Sequence, residues 1–267
     1  SSLFMMEIGF SFFSTLALYT LWKFLKKPTK ITWTCAAIAL GLAQLTKHTA
    51  IFLFGIYPVI ILAHSWLTRK TLQKTISHLT SFAGMIFVAI LLINIVYGFQ
   101  GSFQTANEMF EKDKTIDKTF YTTEKLYGNK PVLKFIAENI PLPLPYHYVK
   151  GLGYVIVEAK SPRTTYLFGK SSDDGFWYYY ILSLIVKTPA PHLIFFIIAT
   201  IIFLFTKRNL KHDLFLIIPA LIFLILFSTN NKQIGIRHLL HIYPLLIIFT
   251  SRILQNKTWM RRHGKII

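Results

Sequence analysis

The stretch LTSFAGMIFVAILLINIVY, residues 79–97, runs for nineteen residues without a charge. As an α-helix it would rise about 28 Å, close to the roughly 30 Å hydrocarbon core of a bilayer. Its only strongly polar side chain is Asn94. Six further apolar stretches flank it, at 8–25, 31–45, 50–67, 190–205, 214–227 and 239–254. These seven runs predict an all-α membrane protein with about seven transmembrane helices. Composition agrees. Of 267 residues, 53% are hydrophobic, 16% aromatic and only 15% charged, with a mean hydropathy of +0.48. A soluble domain carries about a quarter charged residues, and a disordered or collagen-like chain would lack the apolar runs.

The net charge of +18 would point to nucleic acid in a soluble chain. In a membrane chain it asks which side the cations occupy, and no nucleic-acid partner is expected. Fifteen Lys and Arg residues fall in one set of connections (Lys23, Lys26, Lys27, Lys30, Arg69, Lys70, Lys74, Lys207, Arg208, Lys211 and five in the C-terminal tail), against Lys47, Lys232 and Arg237 in the short connections opposite. The first side is therefore expected to be cytoplasmic. Ten of the eleven acidic residues then lie outside, all but Asp213. Trp22, Trp33, Trp66, Trp177 and Trp259 sit near span ends, as an interfacial belt requires. The lone Cys35 excludes an intrachain disulfide and is expected to be a packing residue in its apolar run. The domain division is 1–97, a four-span bundle; 98–188, an outer loop with interfacial amphipathic helices; and 189–267, a three-span bundle with a basic cytoplasmic tail. Because the chain starts at Ser1 and enters an apolar run almost at once, it is expected to be part of a longer protein.

The outer segment is expected to be helical at 105–118 and 131–139, with a stiff Pro-Leu-Pro-Leu-Pro spacer at 141–145. Residues 146–158 are aromatic and apolar enough to lie on the membrane, and 171–175 (Ser-Ser-Asp-Asp-Gly) form a turn. One helix through 176–191 would bury Lys187, at a cost of about 2.5–3.5 kcal/mol on the insertion scale. Laying 176–186 in the outer interface and starting the span at Pro189 avoids that cost.

Ionisable and aromatic residues collect at the outer edge: Glu7, Lys47 with His48, Asp173 with Asp174, Trp177 to Tyr180, Lys187, and Arg237 with His238 and His241. Cations hold a phosphate, and a carboxylate takes a proton from a hydroxyl or holds a divalent metal. The set thus suits a phosphorylated lipid at headgroup depth. Each member also has a plainer reading. Glu7 can be a helix-dipole partner, Lys47, Lys187 and Arg237 interfacial anchors, the two histidines structural, and the aspartates turn formers. No Walker loop, Gly-x-Gly-x-x-Gly or His-Glu-x-x-His is present, so nucleotide hydrolysis and zinc proteolysis are unsupported.

Four segments carry a family resemblance. They are Met6-Glu7-Ile8-Gly9 running into Leu18-Tyr19-Thr20-Leu21-Trp22-Lys23; Gly41-Leu42-Ala43 through Thr46-Lys47-His48-Thr49-Ala50; Tyr166-Leu167-Phe168-Gly169 through Trp177-Tyr178-Tyr179 to Lys187-Thr188-Pro189; and Gly235-Ile236-Arg237-His238-Leu239-Leu240 with Tyr243-Pro244. In order and spacing they resemble the polyprenyl-phosphate-dependent membrane glycosyltransferases of the GT-C fold. That group includes the protein O-mannosyltransferase-like glycosyltransferase family 39, which uses dolichyl or other polyprenyl phosphates, and the lipid A aminoarabinose transferases. The resemblance implies sugar transfer from a polyprenyl-phosphate donor to a protein, lipid or glycan acceptor on the non-cytoplasmic side. It implies Glu7 as a catalytic acid, Lys47, Lys187 and Arg237 on the lipid phosphate, and His48, Trp177, Tyr179 and His238 near substrate. Two departures stand out: Glu7 replaces a usual Asp, and His241 a usual Pro. The family's principal acidic residue would lie upstream of Ser1. The metal requirement stays open. The rival class is a transporter or flippase of lipid-linked sugars, which would place polar groups at the midplane on broken helices. The Ile-, Phe- and Lys-rich usage points to a bacterial plasma membrane.

Overall fold

A computed structural model describes residues 6–112, 131–160, 164–205, 210–229, 233, 235–251 and 253. The described chain is mostly helical. Helix α1 (Met6–Lys26) has Glu7 in its first turn and Lys23 and Lys26 in its last, matching the helix dipole at both ends. After Pro28, α2 (Lys30–Thr46) starts on a capping box in which Thr29 and Thr32 satisfy each other's backbone. A 3-10 turn (His48–Ile51) leads into α3 (Phe52–Leu67). Thr71 then caps α4 (Leu72–Val96).

Small residues bring α1, α2 and α4 together. Ala36, Ala37, Leu40, Gly41 and Ala43 of α2 are buried. A Cβ on Gly41 would meet Leu92 Cδ1 at 2.7 Å and the Ala89 Cα at 3.2 Å, so only glycine permits this α2–α4 crossing. Trp33 donates from Nε1 to the Ser81 carbonyl at 2.9 Å, and Tyr57 of α3 donates to the Ala17 carbonyl of α1 at 2.9 Å. The outward faces of α4 and its neighbours stay apolar; Phe87 is 68% exposed. Such faces suit lipid contact rather than water.

Beyond α4, the outer segment gives α5 (Ala106–Lys112), α6 (Pro131–Asn139) and α7 (Tyr146–Lys160). Asn94 anchors it: its amide donates to the Ile90 and Pro143 carbonyls at 2.9 Å and its oxygen accepts from Ser102. The helix expected at 131–139 is thus present, and the aromatic, apolar stretch at 146–158 forms α7. The one expected at 105–118 is seen as α5, and 113–118 lie outside the described residues. Residues 171–175 differ from expectation. Ser171 and Ser172 belong to a strand, β2 (Lys170–Ser172), paired antiparallel with β1 (Thr165–Leu167). The turn sits earlier, at Phe168 (φ 47°) and Gly169 (φ 78°), two successive left-handed residues as a tight hairpin requires.

Helix α8 (Tyr179–Lys187) and helix α9 (Ala190–Phe205) meet at a 115° bend. Thr188, before Pro189, is extended, as steric contact with the proline ring demands. Helix α10 (Leu210–Ser228) follows, then a second 3-10 segment (Ile236–Ile242) running into α11 (Tyr243–Thr250).

The architecture is consistent with an all-α membrane protein, and the described residues account for part of the seven expected spans. Among the described residues, four helices are long and apolar enough to cross a bilayer, or up to five if the bent α8–α9 pair is one span. The run at 31–45 becomes a 17-residue helix, and the run at 239–254 begins as a 3-10 segment. Cys35 is exposed on α2 rather than packed in the core, which corrects the sequence expectation. The Lys207, Arg208, Lys232 and Arg252 positions, and the basic tail with Trp259, lie outside the described residues.

Candidate functional site

Lys47 closes α2 in extended conformation (φ −159°, ψ 136°), because the chain must leave the helix before the 3-10 turn. Gln44 fixes that turn. Its Nε2 donates to the Ala50 carbonyl at 2.8 Å, and its Oε1 accepts from the Tyr148 hydroxyl of α7 at 3.1 Å. Burial, and secondarily Tyr97, raises the Tyr148 phenol above its ordinary value, so it stays a donor. The His48 ring packs on Tyr148 with centroids 5.2 Å apart. A side chain on Gly151 would collide with that same imidazole, so glycine lets the α7 backbone lie directly on it.

Across this turn, Glu7 Oε1 of α1 stands 3.7 Å from Lys47 Nζ, both side chains about four-fifths buried. The second 3-10 segment leans on the same end of α1, where Ser11 donates to the Leu240 carbonyl at 3.3 Å. His241 is 4% exposed and boxed by Phe10, Phe223 and Phe227 at 4.9, 4.3 and 5.6 Å between centroids. His238, on the same 3-10 segment, sets its ring against Phe227 as well, at 5.6 Å between centroids. Glu7, Lys47, His48, His238 and His241 therefore share one end of the bundle.

The other sequence-selected residues lie on the flank. Arg237 is exposed and makes no hydrogen bond or ion pair among the described residues. Trp177 is 72% exposed. Lys187 is also exposed at the close of α8; beside it Thr188 and the Tyr243 hydroxyl are hydrogen-bonded at 2.8 Å. Tyr179 packs at the edge of the core, and its neighbour Tyr180 is fully buried. No hydrogen bond or ion pair among the described residues joins Lys187, Trp177 or Tyr179 to the Glu7–Lys47 pair. Asp173 accepts from Thr164 at 2.6 Å, a local contact behind the hairpin.

Three residues that the sequence reading passed over organise this end. Gln44 and Tyr148 form the clamp above. Gln233 holds the aromatic run, its Oε1 accepting from Phe176 N–H at 2.9 Å and its Nε2 donating to the Phe176 carbonyl at 2.8 Å. Gly175 (φ 72°) leaves room for that side chain. A glutamine in an apolar run is a visible signal for Gln44; Gln233 and Tyr148 carry none, because their partners are distant in sequence.

Next to Lys187, an apolar cavity of about 540 Å³ opens between α8, α9, α10 and α11, walled by residues such as Ile185, Phe196, Leu224 and Leu246, with Thr188 and Tyr243 as polar edges. No group of three His, Cys, Asp or Glu able to hold a metal occurs among the described residues. The chain matches no family model, no curated protein and no solved structure.

Proposed function

We propose that the chain belongs to a membrane glycosyltransferase of the GT-C type, moving a sugar from a polyprenyl-phosphate donor to an acceptor outside the cytoplasm. The observation that carries the reading is the Glu7–Lys47 pair set against His238 and His241: one carboxylate among cations and imidazoles, at one end of an apolar bundle. The ordered likeness of four segments to that enzyme group supports it. The acceptor hydroxyl oxygen attacks the anomeric carbon, the carbon–oxygen bond to the phosphate breaks, and its electron pair leaves on the lipid phosphate. Lys47, Lys187 and Arg237 offset that charge. The hydroxyl proton passes to a carboxylate, and Glu7 is the acid that this site supplies to accept it or to orient the acceptor. The cavity beside Lys187 has the apolar walls an isoprenoid chain needs. The seven-span arrangement, with α8 lying in the outer interface, belongs to the same proposal, as does the outward-facing site in a plasma membrane.

The bent α8–α9 pair favours the transporter reading, since broken helices mark many transport sites. One experiment separates the two. Membranes carrying the full-length protein, wild type and Lys187→Ala, are given a panel of radiolabelled polyprenyl-phosphate sugars with an acceptor extract. Transfer that collapses in the variant supports the enzyme. Donor flux across vesicles without glycosyl product supports the transporter.

A further inference from the structure

The opposite end of the bundle holds a second cavity, of about 910 Å³, where the α1–α2 turn faces the α3–α4 turn. Lys26, Lys30, Lys70 and Lys74 stand on its wall, and no acidic residue does. None of the four makes an ion pair among the described residues. Burial chiefly, and then the neighbouring Lys74, holds the Lys70 ammonium below its ordinary value. Both α2 and α4 start at the rim and aim the positive ends of their dipoles at it.

Cations and helix starts alone would describe a solvated cytoplasmic surface. The histidines go further. His64 and His78 line the same wall, each only 8% exposed, and their Nδ1 atoms are buried with no hydrogen-bond partner. Phe215 and Phe24 hold the two rings edge-on, at 5.9 and 5.8 Å between centroids. Most buried polar atoms find a hydrogen-bond partner, so two neighbouring ring nitrogens without one on a cationic wall call for an explanation. Beside it Trp66 is 80% and Leu72 75% exposed, an apolar apron next to the cations.

We propose that this cavity binds a phosphoryl oxyanion, with lysines from both turns and the two imidazoles as its partners. A phosphate monoester supplies oxygens that charged donors grip best, and bound there it ties the α1–α2 turn to the α3–α4 turn. The inference stands apart from the glycosyltransferase reading, because it uses no residue of that site.

The test uses the full-length protein purified in neutral detergent. Native mass spectrometry compares retention of phosphatidic acid with phosphatidylcholine, and calorimetry measures inorganic phosphate against chloride. Lys30→Gln/Lys74→Gln is the first variant, since neither side chain makes a hydrogen bond or ion pair among the described residues. His64→Phe/His78→Phe keeps the ring shapes and removes the nitrogens. Phosphatidic acid retained over phosphatidylcholine, and weakened about 30-fold by the lysine variant, assigns a lipid headgroup. Inorganic phosphate bound without lipid preference, and weakened by the same variants, assigns a soluble anion. No binding beyond phosphatidylcholine and chloride, or binding unchanged in both variants at an unchanged melting temperature, overturns the proposal.

Discussion

The two ends of the helical bundle differ in how their charges are matched. At one end, Glu7 meets Lys47, Gln44 is bonded on both sides, and Tyr148 closes the turn. At the other, lysines face lysines with no acid on the wall, while buried ring nitrogens without a hydrogen-bond partner occur at both ends, on His64 and His78 here and on His48 and His241 there. Burying an unsatisfied polar group costs about 1–3 kcal/mol, so each of these nitrogens is a place where a partner would add stability. What differs is the acid: the first end sets a carboxylate beside its lysine, whereas the wall of the far cavity carries lysines and imidazoles without one.

Substitutions break that comparison most directly at Glu7. Glu7→Gln in the full-length protein is expected to lower sugar transfer about 100-fold or more with expression intact, measured as labelled product. Next in size is Gln44→Ala. It removes both ties of the Lys47 turn and leaves the Ala50 carbonyl and Tyr148 hydroxyl unpaired, so a loss of about 1–3 kcal/mol should appear as a lower unfolding temperature. His64→Phe/His78→Phe should behave differently. Replacing partnerless imidazoles by apolar rings of similar shape is expected to leave the unfolding temperature equal or higher in lipid-free detergent. A loss as large as that of Gln44→Ala would erase the contrast between the ends. Smallest is Lys47→Gln, whose stability effect should stay under about 1 kcal/mol because the pair is long and partly solvated, while the KM for the lipid donor rises.

Much of this fold was legible in the chain. The apolar runs mark the helices, the Thr29–Thr32 box marks the start of α2, and Pro189 marks the break after Lys187. Span number was less legible, since hydropathy counts apolar residues and cannot tell a full helix from a short one or from a 3-10 entry such as Ile236–Ile242. The β1–β2 hairpin went unread because three-residue strands show too little alternation. At the candidate site the cations and the acid stand out as charges beside apolar runs. Their ties do not: Gln44 meets Tyr148 across 104 residues, and Gln233 meets Phe176 across 57. The far cavity was hidden for the same reason. Its lysines read as ordinary positive-inside charge, and only folding places His64 and His78 behind them.

The most direct measurement sets Glu7→Gln beside Glu138→Gln in the same transfer assay. Glu138 is an exposed carboxylate on α6, 3.9 Å from Lys134 one helical turn away, and serves as the control acid. The account predicts that Glu7→Gln loses transfer while Glu138→Gln keeps wild-type turnover. Equal turnover in the two variants would contradict it and remove the Glu7 end of the bundle from the chemistry.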